Sequence, residues 1–330
     1  MTFDIGLLTV LFLVLVSEFI NGWTDAPNAI ATVVATRVLK PKYALILAPL
    51  GNIFGAFLGT EVAKTIGTGI VKPEGINLVT LGAAMVGIIT WGMFSWYFGL
   101  PISKSHAMVA GLAGAGLATA GPSVLLWSGW EKVIIGLLFS SILGLVGGWF
   151  VTFLIRHLFY KMARAKTNRL FSILQTISAT GMALSHGSND GQKFIGIFTL
   201  ALVLGGVLQT FEVQRWVIML CSLVMGIGTS IGGWRIIKTM GEKMVKMEPY
   251  QGFAAETAAT GAILFASHLG IPLSTTHTIN TSIMGVGAAT RLSGIRWGVV
   301  REIVVTWLMT FPICALIGFI VATIFKFIFT

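Results

Sequence analysis

Charge is what this sequence has least of. Only 10% of its 330 residues are Asp, Glu, Lys or Arg, whereas 55% are hydrophobic and the mean hydropathy is +0.88. A soluble domain carries roughly 25% charged residues, and one core of this size cannot hide so much apolar surface, so a water-soluble globular protein is excluded. Cysteine is nearly absent. Cys221 and Cys314 both lie in apolar stretches and read as small buried hydrophobes, not as a disulfide or a thiolate metal site. The period-two alternation of an outer-membrane barrel is missing as well, and apolar runs separated by short polar breaks predict helices that span lipid. The first six residues hold Asp4 and no Lys or Arg, which is not the basic start of a cleaved signal, so the first helix is expected to be permanent.

The net charge of +10, from 22 basic against 12 acidic residues, is confined largely to loops, which argues for membrane anchoring and against nucleic acid. One set of loops holds Arg37, Lys40 and Lys42; five basic residues from Arg156 to Arg169; Arg235, Lys238, Lys243 and Lys246; and Arg291, Arg296 and Arg301. The alternating set holds only Lys64, Lys72 and Arg215. The rich set is therefore expected in the cytoplasm, with both termini outside it, in a multi-pass protein of the cell (inner) membrane.

The chain also repeats itself. Gly99, Pro101, Ser103, His106, Gly114 and Gly116 recur 171 positions on as Gly270, Pro272, Ser274, His277, Gly285 and Gly287. Upstream, Gly22 and Asp25 are echoed by Gly187 and Asp190 at an offset of 165. With each half crossing an odd number of times, the expected fold is an all-α polytopic membrane protein of two inverted-topology repeats, residues 1–155 and 171–330, joined by a basic cytoplasmic linker, 156–170.

Four polar elements interrupt the apolar pattern. Asn21-Gly22-Trp23-Thr24-Asp25-Ala26-Pro27-Asn28 and Ser185-His186-Gly187-Ser188-Asn189-Asp190-Gly191-Gln192-Lys193 read as breaks in helices that carry a carboxylate to mid-membrane. A charge there costs roughly 2.5–3.5 kcal/mol, which points to function beyond helix capping. Hard oxygen ligands suit an alkali cation, so Asn21, Asp25, Asn189 and Asp190 are the expected sodium ligands. Pro-Ile-Ser-Lys-Ser-His at 101–106 and Pro-Leu-Ser-Thr-Thr-His at 272–277 read as re-entrant hairpins whose helix N-termini attract an anion. The expected anion ligands are Thr24, Asn28, Ser103, Lys104, Ser105, Gln192, Lys193, Ser274, Thr275 and Thr276. Lys104 and Lys193 could equally pair with the aspartates. His106 and His277 are proton sites or packed structural residues, and Glu18 and Glu256 are structural partners or accessory ion sites.

These motifs resemble the inorganic phosphate transporter (PiT) family, whose eukaryotic members are type III sodium-phosphate cotransporters. The resemblance spans nearly the whole chain. It is carried by His186-Gly187-Ser188-Asn189-Asp190, by Asn21-Gly22-Trp23-Thr24-Asp25 with Thr24 in place of the family Asn, by the two Pro-x-Ser-x-x-His elements and by Gly232-Gly233-Trp234-Arg235. It implies phosphate uptake coupled to a cation gradient. A family glutamate has no counterpart near Gly51-Asn52, which leaves coupling stoichiometry open. Two aspartates with a phosphate dianion would gather about four negative charges at low dielectric, so sodium is expected to enter as the coupling ion, with no other cofactor. Sulfate, which has no hydrogen to donate to a carboxylate, is expected to be rejected. Three alternatives stay open: proton coupling through the histidines, a sulfate-carrying relative, and an intramembrane hydrolase, which would need only one asymmetric site. A homodimer through glycine-rich faces is a further expectation.

Overall fold

The computed structural model describes residues 4–329; the chain ends themselves, expected outside the cytoplasm, lie outside the described residues. The first half comprises α1 (Ile5–Ala35), α2 (Pro41–Gly55), α3 (Glu61–Gly69), α4 (Leu78–Phe98), α5 (Lys104–Ala120) and α6 (Trp127–Leu158). The second comprises α7 (Arg164–His186), a π-helical turn (Gly187–Gly191), α8 (Gln192–Leu204), α9 (Arg215–Ile231), α10 (Trp234–Ile237) with a second π-helical turn (Lys238–Lys243), α11 (Pro249–His268), α12 (Thr275–Thr290) and α13 (Trp297–Phe329). No strand occurs among the described residues. Five of these helices are long and apolar enough to cross a bilayer, six if α9 and the bent segment Trp234–Lys243, turned by 64°, form one span. Large apolar side chains such as Leu138, Ile142, Trp149, Phe153, Leu308 and Phe319 are exposed on α6 and α13, while Glu18, Asp25, Lys104, Asp190, Lys193 and Glu256 are buried inside, the distribution that lipid as solvent demands.

Local signals recur at the 171-residue offset. Asn77 caps α4 by accepting from Thr80 N (3.0 Å), and Thr80 bonds Thr119 of α5 at 2.9 Å. In the second half Glu248 and Gln251 form the capping box of α11, and Gln251 bonds Thr290 of α12 at 3.0 Å. Each bond ties a long helix to the short one after it. Between the members of each pair, residues 100–103 and 271–274 are non-helical. Gly99 (φ 70°) and Gly270 (φ 66°) make the turns in the left-handed region open to glycine. The short helices then pack across the halves, α5 on α13 and α12 on α6. A Cβ on Gly114 would lie 1.9 Å from Ala315 O and one on Gly285 2.0 Å from Leu145 O, so glycine is what allows these approaches.

The expected breaks at 21–28 and 185–193 take a different form. α1 runs unbroken through Asp25 with Pro27 inside it. Proline leaves the Trp23 carbonyl without its intrahelical donor, but Gly233 packs there, where a Cβ would be 3.0 Å from both Trp23 O and Pro27 Cγ. Protein rather than lipid packs against this gap in the hydrogen-bond ladder, and the helix continues through it. In the second half the chain widens into the π turn at Gly187–Gly191 and continues as α8. Both polar stretches lie between two apolar clusters. One contains Leu7–Val14 side chains of α1 and Phe194–Leu202 side chains of α8; the other contains Ala29–Val33 side chains of α1 and Phe171–Ala183 side chains of α7. The polar waist between them is the candidate site.

Candidate functional site

Two helix starts meet at this waist. Ser103 Oγ accepts from His106 N (3.3 Å) and Ser274 Oγ from His277 N (3.2 Å), so each serine caps its own helix. The next hydroxyls reach across the halves: Ser105 donates to Leu273 O at 3.1 Å, and Thr276 donates to Ile102 O at 3.0 Å. The N-terminal ends of α5 and α12 are thereby cross-braced, and the orphan N–H groups and positive dipole ends of both are brought to one place.

The two carboxylates lie against this brace. Asn28 Nδ2 donates to Asp25 Oδ2 (3.2 Å) and to Thr276 Oγ1 (2.9 Å), while Thr24 Oγ1 donates to Asp25 Oδ1 (3.2 Å). In the other half Lys193 Nζ donates to Asp190 Oδ1, to Ser105 Oγ (2.5 Å) and to Leu273 O (2.8 Å). Thr275 Oγ1 donates to Asp190 Oδ2 at 2.6 Å. Lys104 Nζ stands 4.0 Å from Asp25 Oδ1 and is buried with no hydrogen-bond partner among the described residues. Thr24, Asp25, Asn28, Lys104, Ser105, Asp190, Lys193, Thr275 and Thr276 thus form one cluster, supplied by α1, α5, the π turn, α8 and α12.

Counting only the aspartates overstates the charge of this cluster. Lys104 and Lys193 bring two ammonium groups to two carboxylates, so a phosphate dianion would leave two negative charges to be balanced, not four. The reason is tertiary: Lys104 lies 79 residues from Asp25 in sequence, and only the packing of α5 beside α1 brings them together.

Other expected site residues sit apart. Asn21 Nδ2 donates to Glu18 Oε2 (3.2 Å), and Asn189 Nδ2 to Ser267 Oγ (2.8 Å); the Oδ1 atoms of both asparagines are buried without a partner among the described residues. Gln192 Oε1 accepts from Val62 N (3.0 Å) at the start of α3. His106 and His277 form an edge-on pair with ring centroids 4.6 Å apart, and His277 stacks on Trp307 at 3.7 Å, beside a cavity of about 280 Å³ lined by Leu137, Ile142 and Phe311. Glu256 accepts from Thr32 (2.6 Å), Gln175 (3.1 Å) and Ser178.

His186 was given no role by sequence reasoning, yet its Nε2 lies 3.0 Å from Asp190 Oδ2 and its Nδ1 3.0 Å from Asn52 Oδ1. One oxygen each from Asp25 and Asp190 and a ring nitrogen of His186 fall within 4.8 Å of one another, a spacing one cation can bridge. The 165-residue offset, which sets His186 opposite Asn21, was the available signal.

The profile of the phosphate transporter family matches residues 21–167 and 159–318. The chain belongs to this family. It is accordingly a multi-pass membrane transporter of phosphate and not an enzyme. The transporter is 44% identical over 303 residues to a Rhizobium meliloti protein named "Probable low-affinity inorganic phosphate transporter", with 91% of each chain covered. It is 40% identical over 328 residues to a Bacillus subtilis protein of the same name, with 98% of each covered. A solved structure described as "The sodium-dependent phosphate transporter" superposes with a TM-score of 0.86, covering 98% of this chain and all of that one; at 22% identity this likeness is one of fold.

Proposed function

We propose that the transporter is a symporter that imports inorganic phosphate with sodium by alternating access. The observation that carries this reading is the cross-braced pair of helix starts with the unbonded, buried ammonium of Lys104 beside it. Phosphate binds where these meet, receiving hydrogen bonds from Lys104, from the first-turn N–H groups of α5 and α12 that Ser103 and Ser274 leave uncapped, and from Ser105, Thr275, Thr276, Asn28 and Lys193 as these turn to it from their present partners. Thr24 holds the edge of that site, bonded to Asp25.

Sodium enters beside Asp25 and Asp190. Asn52 Nδ2 donates to Thr229 (2.9 Å), so its Oδ1 accepts from His186 Nδ1, and the other ring nitrogen, Nε2, faces Asp190 Oδ2 at 3.0 Å. The partnerless Oδ1 atoms of Asn21 and Asn189 support the same reading, because a buried acceptor without a donor invites a cation. Neither ligand binds well alone, since phosphate brings the negative charge that sodium offsets; this mutual dependence is the coupling.

The two repeats, 1–155 and 171–330, are proposed to be inverted and to rock about the midplane site. The packing of α5 on α13 and α12 on α6, with paired roles exchanged between halves, supports this.

Labelled phosphate uptake into proteoliposomes at fixed pH tests the reading. An inward sodium gradient should drive accumulation, and Asp25→Asn should abolish it. Uptake that ignores sodium and follows a pH gradient would refute sodium as the coupling ion and assign coupling to protons.

A further inference from the structure

The two halves of the site differ at a position where the repeat pairs them. Asn28 and Lys193 are 165 apart, like Asp25 and Asp190, and each follows its aspartate by three residues. Each bonds its own carboxylate and the first-turn hydroxyl of the opposite half's short helix, Thr276 for Asn28 and Ser105 for Lys193. The lysine adds a third oxygen, Leu273 O at 2.8 Å. Its fully buried ammonium is therefore held by a carboxylate, a hydroxyl and a main-chain carbonyl, the hard oxygen set that an alkali cation takes. The first half offers the related oxygens, namely the Asp25 carboxylate, Thr276 Oγ1 and Ile102 O, and places a neutral amide where the second half places a charge. Lys104 does not fill that set: it occupies the position related to Thr275 and donates no hydrogen bond.

We infer that Lys193 is a built-in cation, its ammonium performing in the second half the service that a coupling sodium ion performs in the first. The inference rests on the sodium-coupled reading above and deepens it. A tethered charge is always present and moves with the protein, so it neutralises Asp190 and helps hold phosphate without drawing on the sodium gradient. The consequence is one sodium fewer per phosphate than a site with asparagine in both halves would carry, and a lower ceiling on the accumulation that a given gradient can drive.

The test is Lys193→Asn in the full-length protein, which copies Asn28, with Lys193→Met as the variant that removes the charge without supplying an oxygen. Both are reconstituted, and the ratio of radiosodium to radiophosphate influx is measured at fixed voltage and pH. Lys193→Asn should raise the ratio by one and steepen the sodium dependence of uptake, whereas Lys193→Met should lose uptake. An active Lys193→Asn variant with an unchanged ratio overturns the inference. If Lys193→Asn does not transport, sodium titration of its melting temperature in detergent decides: stabilisation by sodium beyond that of wild type and of Lys193→Met upholds the inference, and its absence overturns it. If the wild type moves no sodium with phosphate, the sodium-coupled reading fails by itself. What concerns Lys193 itself, that its ammonium fills a cation place in the second half, then stands if Lys193→Asn acquires sodium dependence and falls if it does not.

Discussion

Replacing Asp190 with Asn would leave Lys193 as a buried ammonium whose closest anion has become an amide. Asp190 accepts from Lys193 and, at 2.6 Å, from Thr275, and both members of the Asp190–Lys193 pair are buried. Removing one member of such a pair costs about 3–5 kcal/mol, because the survivor keeps its desolvation penalty and loses its counter-charge. Lys193→Met alone should cost a similar amount by stranding the carboxylate. The double variant Asp190→Asn/Lys193→Met removes both charges, and its cost should fall to that of the lost hydrogen bonds to Ser105 and Leu273 O, about 2–3 kcal/mol in all. The interaction energy across the cycle is then about 5 kcal/mol, far outside the few tenths expected of independent sites. Unfolding followed by tryptophan fluorescence in detergent, in choline buffer so that no sodium substitutes for the lysine, would measure it. Additive losses in the double variant would refute the claim that this pair balances charge in the site.

Two further substitutions probe packing. Gly114→Ala drives a methyl to 1.9 Å from Ala315 O and should separate α5 from α13, lowering stability by about 1–3 kcal/mol, whereas Gly261→Ala inside α11 meets nothing within 4 Å and should stabilise by up to about 1 kcal/mol; melting temperatures compare them. His277→Phe keeps the ring stacked on Trp307 and should cost at most about 1 kcal/mol of stability while phosphate uptake persists; a folded variant without uptake would instead place His277 on a proton path.

Much of the fold was legible beforehand because its signals are local. Scarce charge and long apolar runs imply lipid-facing helices, and the glycines that recur at 99 and 270 prove to be turns that the structure builds with positive φ. Recurring polar residues implied a repeated site, and Asp25, Asn28, Ser105, Asp190, Lys193, Thr275 and Thr276 do converge. The continuity of α1 through Pro27 was not legible, since the group that covers the Trp23 carbonyl is Gly233, more than two hundred residues away.

The sequence by itself determined the solvent, the helical class, the duplicated elements and the residue types gathered at the waist, each a matter of composition or periodic spacing. Only the tertiary structure decided which charge meets which. Lys193 reaches Ser105 and Leu273 O, Lys104 approaches Asp25, and His186 joins Asn52 to Asp190, all except the short-range aspartate contacts made across 79 or more residues. The physical reason is that ion pairs and cross-braces depend on the close approach of helices. Glycines at the crossings permit that approach, and it is set by the whole packed bundle rather than by any one segment.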